Sequence, residues 1–177
     1  MWMDVRKSWL DYGRPREQGT AVCLLQQGVL YHARMRSPSK PLLPKASAAC
    51  PCGSDLSYGD CCGRWHAGLS QARHAPSPET LMRSRYSAYV LGLIDYLLAT
   101  WHPATAPGDL VLPLVKWLGL EVRHAEQSGD AGVVEFVARC RSFHNAGGRA
   151  ERMHETSRFV REGGRWLYID GVVDVPA

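Results

Sequence analysis

Between residues 77 and 100 the apolar positions Leu81, Met82, Tyr86, Ala88, Tyr89 and Leu93 recur at close to helical spacing. The start of that helix is marked: Ser77 can cap, Pro78 fits the first turn and Glu79 complements the dipole. Gly92 punctuates it before a second short helix over residues 95–100. Pro103 and Pro107 end the helical section, although residues 109–115 could form another turn of helix cut by Pro113. From Trp117 onward the pattern changes to four β-compatible runs. They are separated by Ser128-Gly129-Asp130, Asn145-Ala146-Gly147-Gly148 and Glu162-Gly163-Gly164, which predicts hairpins and an antiparallel meander. In the last run Trp166, Tyr168 and Asp170 alternate with Leu167 and Ile169, so one of these sets is expected to face inward. Helices first and strands after give an α+β fold, with the helices laid over a curved sheet.

Upstream of residue 50 the patterning is weak. Ser37-Pro38-Ser39-Lys40-Pro41, with Pro44 and Lys45, can hold neither a helix nor a central strand and reads as a linker. The best apolar stretch, residues 21–31, is interrupted by Gln26, Gln27 and Gly28 and reads as a strand pair or local cluster. No run of about 18 apolar residues occurs, so no membrane span is predicted. The 177 residues, 45% hydrophobic, suffice for one ordinary domain plus appendages. Charge is unevenly placed: residues 1–49 hold eight Lys or Arg against three Asp or Glu, whereas residues 50–177 hold thirteen against fourteen. The globular part is therefore not a basic surface overall, and a nucleic-acid partner would have to use the arm or a local Arg139, Arg141, Arg149 and Arg152 cluster.

Four of the six cysteines, Cys50, Cys52, Cys61 and Cys62, fall within thirteen positions. Cys-x-Cys and Cys-Cys neighbours bridge each other poorly, whereas four thiolates at this spacing suit one tetrahedral zinc ion. Pro51 stiffens the first pair, and Gly53, Gly59 and Gly63 are expected to allow sharp bends. With four sulfurs no coordination position is left for water or substrate, so the ion is expected to be structural. His66 is a possible substitute for Cys62. Zinc-type cysteines, with nothing at the N-terminus resembling a secretion signal, place the chain in a reducing cytoplasm.

The string Cys50-Pro51-Cys52-Gly53-Ser54-Asp55 through Tyr58, Cys61, Cys62 and Gly63 resembles the SEC-C zinc motif, best known from the tail of the SecA translocation motor. Further on, Leu81-Met82-Arg83-Ser84-Arg85-Tyr86-Ser87-Ala88-Tyr89, Thr100-Trp101-His102-Pro103, Trp117-Leu118-Gly119-Leu120, Ser157-Arg158-Phe159 and Tyr168-Ile169-Asp170-Gly171 resemble the bacterial YchJ family. The resemblance implies a SEC-C module over residues 48–68, tethered to a cone of the nuclear transport factor 2-like type over residues 76–174, with residues 1–47 a basic, flexible extension and linker. The motif usually has glycine where this chain has Asp55, which the left-handed tolerance of aspartate accommodates. Relatives of this type begin a few residues before the first cysteine, so residues 1–34 read as an upstream extension with Met35 as the natural start, and the second SEC-C motif of many relatives does not follow.

Two further sets of residues are candidates for function. An open cone would offer Arg85, His102, His144, His154, Glu155, Arg158, Tyr168 and Asp170, with His102 or His154 backed by Asp170 as the general base to test. The competing reading pairs Arg85 with a buried carboxylate, Glu135 or Glu155, and puts Trp101, Trp117 and Trp166 in the core. Cys23 and Cys140 stand alone and read as buried thiols. A saturated ion serves to fold a loop and present its surface, here Tyr58, Arg64, Trp65 and His66. The chain is accordingly expected to be a zinc-binding adaptor for a protein or ribosomal partner. A small-molecule binder or enzyme using the cone is the alternative, and nucleic-acid binding through the arm and zinc module the third class. A homodimer through the sheets is also possible.

Overall fold

The computed structural model describes residues 42–143 and 149–174. The basic arm, with residues 1–34, Cys23 and most of the linker, lies outside the described residues, as do residues 144–148 with His144. Helix α1 spans Cys62–Gly68 and runs into a single 3-10 turn at Leu69–Gln71. Helix α2 spans Pro78–Leu91 and α3 Ile94–Ala99, and four strands follow: β1 Val115–Ser128, β2 Ala131–Ser142, β3 Glu151–Glu162 and β4 Arg165–Asp174. All neighbours are antiparallel in the order β1-β2-β3-β4, the meander that the turn signals predict. The α+β fold expected from the sequence is the one adopted.

Local chemistry explains the boundaries. Ser77 accepts the Thr80 backbone N–H at 3.1 Å and Pro78 opens α2, while Gly92 closes it in the left-handed region. The β3–β4 turn is Gly163-Gly164, both with positive φ (55° and 80°), which a two-residue hairpin of matching twist requires. Register shifts at Trp117/Gly119 and Val122/His124 in β1, and opposite Arg158/Phe159 where Ile169 of β4 is left over, bend the sheet around α2. Its inner face carries Val134, Phe136, Ala138, Met153 and Phe159, which meet Leu81, Met82 and Tyr86 of α2 in one core.

Two readings of the pattern change. Residues 109–115 form no helix: Pro113 interrupts the segment, Leu110 and Leu112 lie against the core as an irregular strap, and Val115 already belongs to β1. Along β4, Trp166, Leu167 and Tyr168 are all buried, so strict alternation fails. The strand is covered on more than one side. Its edge pairs with the chain at Thr100–His102, Tyr168 N–H donating to the Thr100 carbonyl at 2.9 Å and His102 N–H to the Tyr168 carbonyl at 2.7 Å. Trp166 donates from Nε1 to the Pro76 carbonyl at 3.2 Å.

The small cysteine-rich module that precedes the helix–sheet domain packs directly on it. Cys50, Cys52, Tyr58 and Cys62 belong to the same buried cluster as the inner face of the sheet and α2. Close packing at the start of α2 fixes how the helix lies on the sheet, because a Cβ on Gly132 of β2 would stand 2.3 Å from Pro78 Cγ. Gly132→Ala should therefore lower the unfolding free energy by about 1–3 kcal/mol, measured by urea unfolding; an unchanged midpoint would mean that the helix start is not seated on β2.

Candidate metal centre

Short hydrogen bonds wind residues 45–62 into a compact loop. Tyr58 N–H donates to the Ala48 carbonyl at 2.7 Å, Gly59 N–H to the Ala46 carbonyl at 2.8 Å, and Cys50 N–H to the Leu56 carbonyl at 3.0 Å. Gly53 and Asp55 turn the chain in the left-handed region, at φ 72° and 59°, so aspartate does tolerate the place usually held by glycine. Gly59 and Gly63 serve close approach and not a bend. A Cβ on Gly63 would lie 2.6 Å from the Tyr58 carbonyl oxygen, and one on Gly59 2.9 Å from the Ala46 Cβ.

This winding brings the sulfurs of Cys50, Cys52, Cys61 and Cys62 within 4.8 Å of one another. Cys52 Sγ lies 3.6 Å from Cys61 Sγ, and Cys61 Sγ 3.8 Å from Cys62 Sγ. A tetrahedron with metal–sulfur bonds of about 2.3 Å has edges of about 3.8 Å, so these spacings fit one ion held by four thiolates. The protonation chemistry agrees. Hydrogen bonds from the Cys52 and Cys62 side chains hold the Cys50 thiol well below the ordinary thiol range, whereas the Cys50 sulfur pushes Cys52 up to about 11 and Cys62 higher still. A cation among the sulfurs would favour the thiolate forms together. The four cysteines of this cluster could bind a metal ion.

Neighbouring side chains tie the cluster to the body of the fold. Ser54 Oγ lies 3.0 Å from Cys61 Sγ, and Ser87 Oγ of α2 lies 3.9 Å from Cys50 Sγ. His66 is not a fifth candidate ligand. Its Nε2–H donates to the Ser84 carbonyl at 2.9 Å, and its Nδ1 accepts from the Tyr58 hydroxyl at 2.8 Å. Both ring nitrogens are thereby used in the neutral form, and burial holds the histidine below its ordinary value. The ring also stands edge-on to Tyr96 at 4.6 Å. Of the residues expected on the module's outer surface, Tyr58 is buried and His66 largely so, because both are consumed in this docking. Arg64 is exposed and stacks on the half-buried Trp65 at 4.9 Å. Leu56, which the motif did not single out, is 51% exposed between the two cysteine pairs.

The polar residues assigned to a cone cavity do not assemble into a base and its support. Asp170 is taken by Arg158, whose Nε donates to Oδ1 at 2.6 Å and whose second nitrogen donates to Oδ2. His154 stands between Glu135 (2.7 Å from Nε2) and Asp174 (3.0 Å from Nδ1), on the outer face of the sheet. His102 meets Glu162 at 3.3 Å. Neither histidine reaches Asp170. Arg85, Glu155 and Tyr168 do converge, but in the packed interior. Arg85 donates to the Leu97 carbonyl at 2.7 Å and to Thr100 Oγ1 at 2.9 Å, with its guanidinium 4.8 Å from the Trp101 ring and 4.5 Å from Tyr168. The expected ion pair is absent: among the described residues no carboxylate is within ion-pair range of Arg85. Glu155 is pushed up by burial, opposed by the Ser157 hydroxyl at 2.6 Å, by Tyr168 and by the field of Arg85. A cavity of about 20 Å³, room for a single water, lies elsewhere, between Trp65, Leu69, Tyr96, Ala99, Trp166 and Leu167.

Residues 47–64 match the model of the SEC-C motif, and residues 77–171 match that of the YchJ middle NTF2-like domain. A UPF0225 protein of Bordetella parapertussis is 55% identical over 131 residues, covering 72% of this chain and 95% of that protein. One from Chromobacterium violaceum is 56% identical over 136 residues, covering 73% and 96%. Among solved structures, a SEC-C motif containing protein from Rhodopseudomonas palustris superposes with a TM-score of 0.61 at 38% identity, covering 71% of this chain and 98% of that one. Another, from Psychrobacter arcticus, gives 0.59 at 30% identity, covering 75% and 86%.

The docking histidine makes stability pH-dependent. Above about pH 6.5 His66 is neutral in both folded and unfolded chains. Below it the unfolded histidine takes a proton that the folded one resists, so stability falls with pH. Urea midpoints between pH 7.5 and 5.5 should fall more steeply for the wild type than for His66→Gln, in which the thiol contribution is common to both; parallel slopes would show that His66 is not held neutral.

Proposed function

We propose that this chain, which belongs to the YchJ family, is an adaptor whose SEC-C module holds one zinc ion and presents a protein-binding surface. The set of four sulfurs within 4.8 Å of one another supports this reading most directly, because four thiolates on one ion leave no position for a substrate or an activated water. Tetrahedral all-thiolate coordination favours zinc over the harder divalent ions. The interior polar groups support it as well, since Arg85 is held by the Leu97 carbonyl, Thr100 and the Trp101 and Tyr168 rings, and one oxygen of the buried Glu155 by Ser157 and Tyr168, instead of facing an open cavity. What the module offers outward is Arg64 on Trp65, with Leu56 exposed between the cysteine pairs. A cation stacked on an indole, with an exposed apolar side chain elsewhere on the module, suits a protein or ribosomal-protein segment carrying an acidic and an apolar anchor. Among the described residues no helix is long and apolar enough to cross a membrane.

Elemental analysis of the purified chain should find close to one zinc per molecule, and Cys52→Ser should remove it. A chain carrying another metal, or a variant with undiminished zinc, would contradict the assignment. For the surface, a photocrosslinking residue at position 64 should trap a discrete protein in host cells, resistant to nuclease. Arg64→Glu, at an exposed position, should weaken that capture by about 1–2 kcal/mol with the melting temperature unchanged. Absence of any discrete crosslink at this face would contradict the adaptor reading.

A further inference from the structure

We propose that the outer face of the sheet, at the end where β1, β2 and β3 carry Lys116, Arg139, Arg141 and Arg152, binds single-stranded nucleic acid. Strand register assembles these four side chains. Lys116 is opposite Arg141, and Arg139 is opposite both Gly119 and Arg152. Their neighbours Trp117 and Ala138 belong to the core side, Trp117 against Tyr86 of α2, so alternation puts the four cations on the other face, where all are exposed. Residues two apart on a strand are about 6.6–6.8 Å apart, and cross-strand partners about 4.5–5.5 Å. The result is a small two-dimensional array of like charge.

Such an array is costly in an isolated fold, since like charges directly opposite destabilise a sheet. The carboxylates of the same face do not relieve it. Glu121 is held by Arg123 at 3.2 Å, Glu135 and Asp174 by His154, and Asp170 by Arg158. Among the described residues none of the four cations has an ion-pair partner. Charge complementarity therefore calls for a polyanion. The flanking residues narrow its kind: Phe143, one position beyond β2, is 65% exposed, and its backbone N–H donates to the carbonyl of Leu114, itself 56% exposed. Cations tracking a phosphate backbone beside an accessible ring is how single strands are held without sequence readout, bases stacking on the aromatic. An acidic polypeptide would satisfy the charges and leave the ring unused. This face is distinct from the cysteine cluster and does not depend on the adaptor reading.

The test uses the full chain with a fluorescein-labelled oligouridylate of about 20 nucleotides, titrated by anisotropy across a range of salt. Arg139→Glu with Arg152→Glu should weaken binding at least tenfold and reduce the magnitude of the log–log salt slope by about 1.4, two phosphate contacts' worth. Phe143→Ala should weaken it at least fivefold with the slope unchanged. Because Arg139→Gln with Arg152→Gln removes repulsion, that variant should melt no lower than the wild type and still show the reduced slope, which separates lost contacts from lost folding. Wild-type affinity and slope in both double variants would overturn the proposal and assign binding to the basic arm. No binding of the oligonucleotide, or its displacement by polyglutamate at equal charge concentration, would equally overturn it, the latter in favour of an acidic polypeptide.

Discussion

A carbonyl in the middle of a helix has one partner along the helix, and that of Ser84 takes a second, the Nε2–H of His66. This bond fixes α1 against α2. In the neutral imidazole that donates there the other nitrogen is an acceptor, which the Tyr58 hydroxyl fills, and Tyr58 is held by the loop that gathers the sulfurs. Ser84 Oγ donates to the Leu81 carbonyl and accepts from Tyr96, which brings α3 into the same network. Cluster, docking histidine and helix pair thus share one set of hydrogen bonds, and three of the four cysteines are buried in the core that α2 shares with the sheet.

The sheet side of α2 has a different problem, a guanidinium taken fully out of water. Two aromatic faces, a backbone carbonyl and a threonine hydroxyl receive Arg85, while the buried Glu155 balances it through space and not by contact. Gly171 belongs to this arrangement, because a Cβ there would lie 2.1 Å from Glu155 Oε1. A cone that fills its own interior in this way leaves its outer surfaces, the module and the outer sheet face, as the places where partners can meet it.

The parts of this structure legible in the sequence are those set by short-range rules. Ser77-Pro78-Glu79 and Gly92 bracket α2, the paired glycines at 163 and 164 make a hairpin, and the cysteine spacing converges four sulfurs. The parts that were not legible depend on contacts far apart in the chain. Helix α1 has no capping side chain and is only seven residues long, so it gives little periodic signal. The roles of Ser84 and Ser87 were visible only as small residues on the buried face of α2, and nothing local shows that His66 docks or that Asp170 is taken by Arg158. Alternation in β4 misleads because its edge is covered by residues 100–102, more than sixty positions upstream.

The claim that the cysteine cluster and the helix–sheet body are one cooperative unit is tested most directly by hydrogen exchange of the full chain, before and after metal is stripped by a chelator. On this account, amides of α2 around Ser84–Ala88 and of β2 around Val134–Ala138 lose protection together with those of residues 48–66 when the metal is removed. Loss confined to residues 48–66, with α2 and β2 as protected as before, would contradict it.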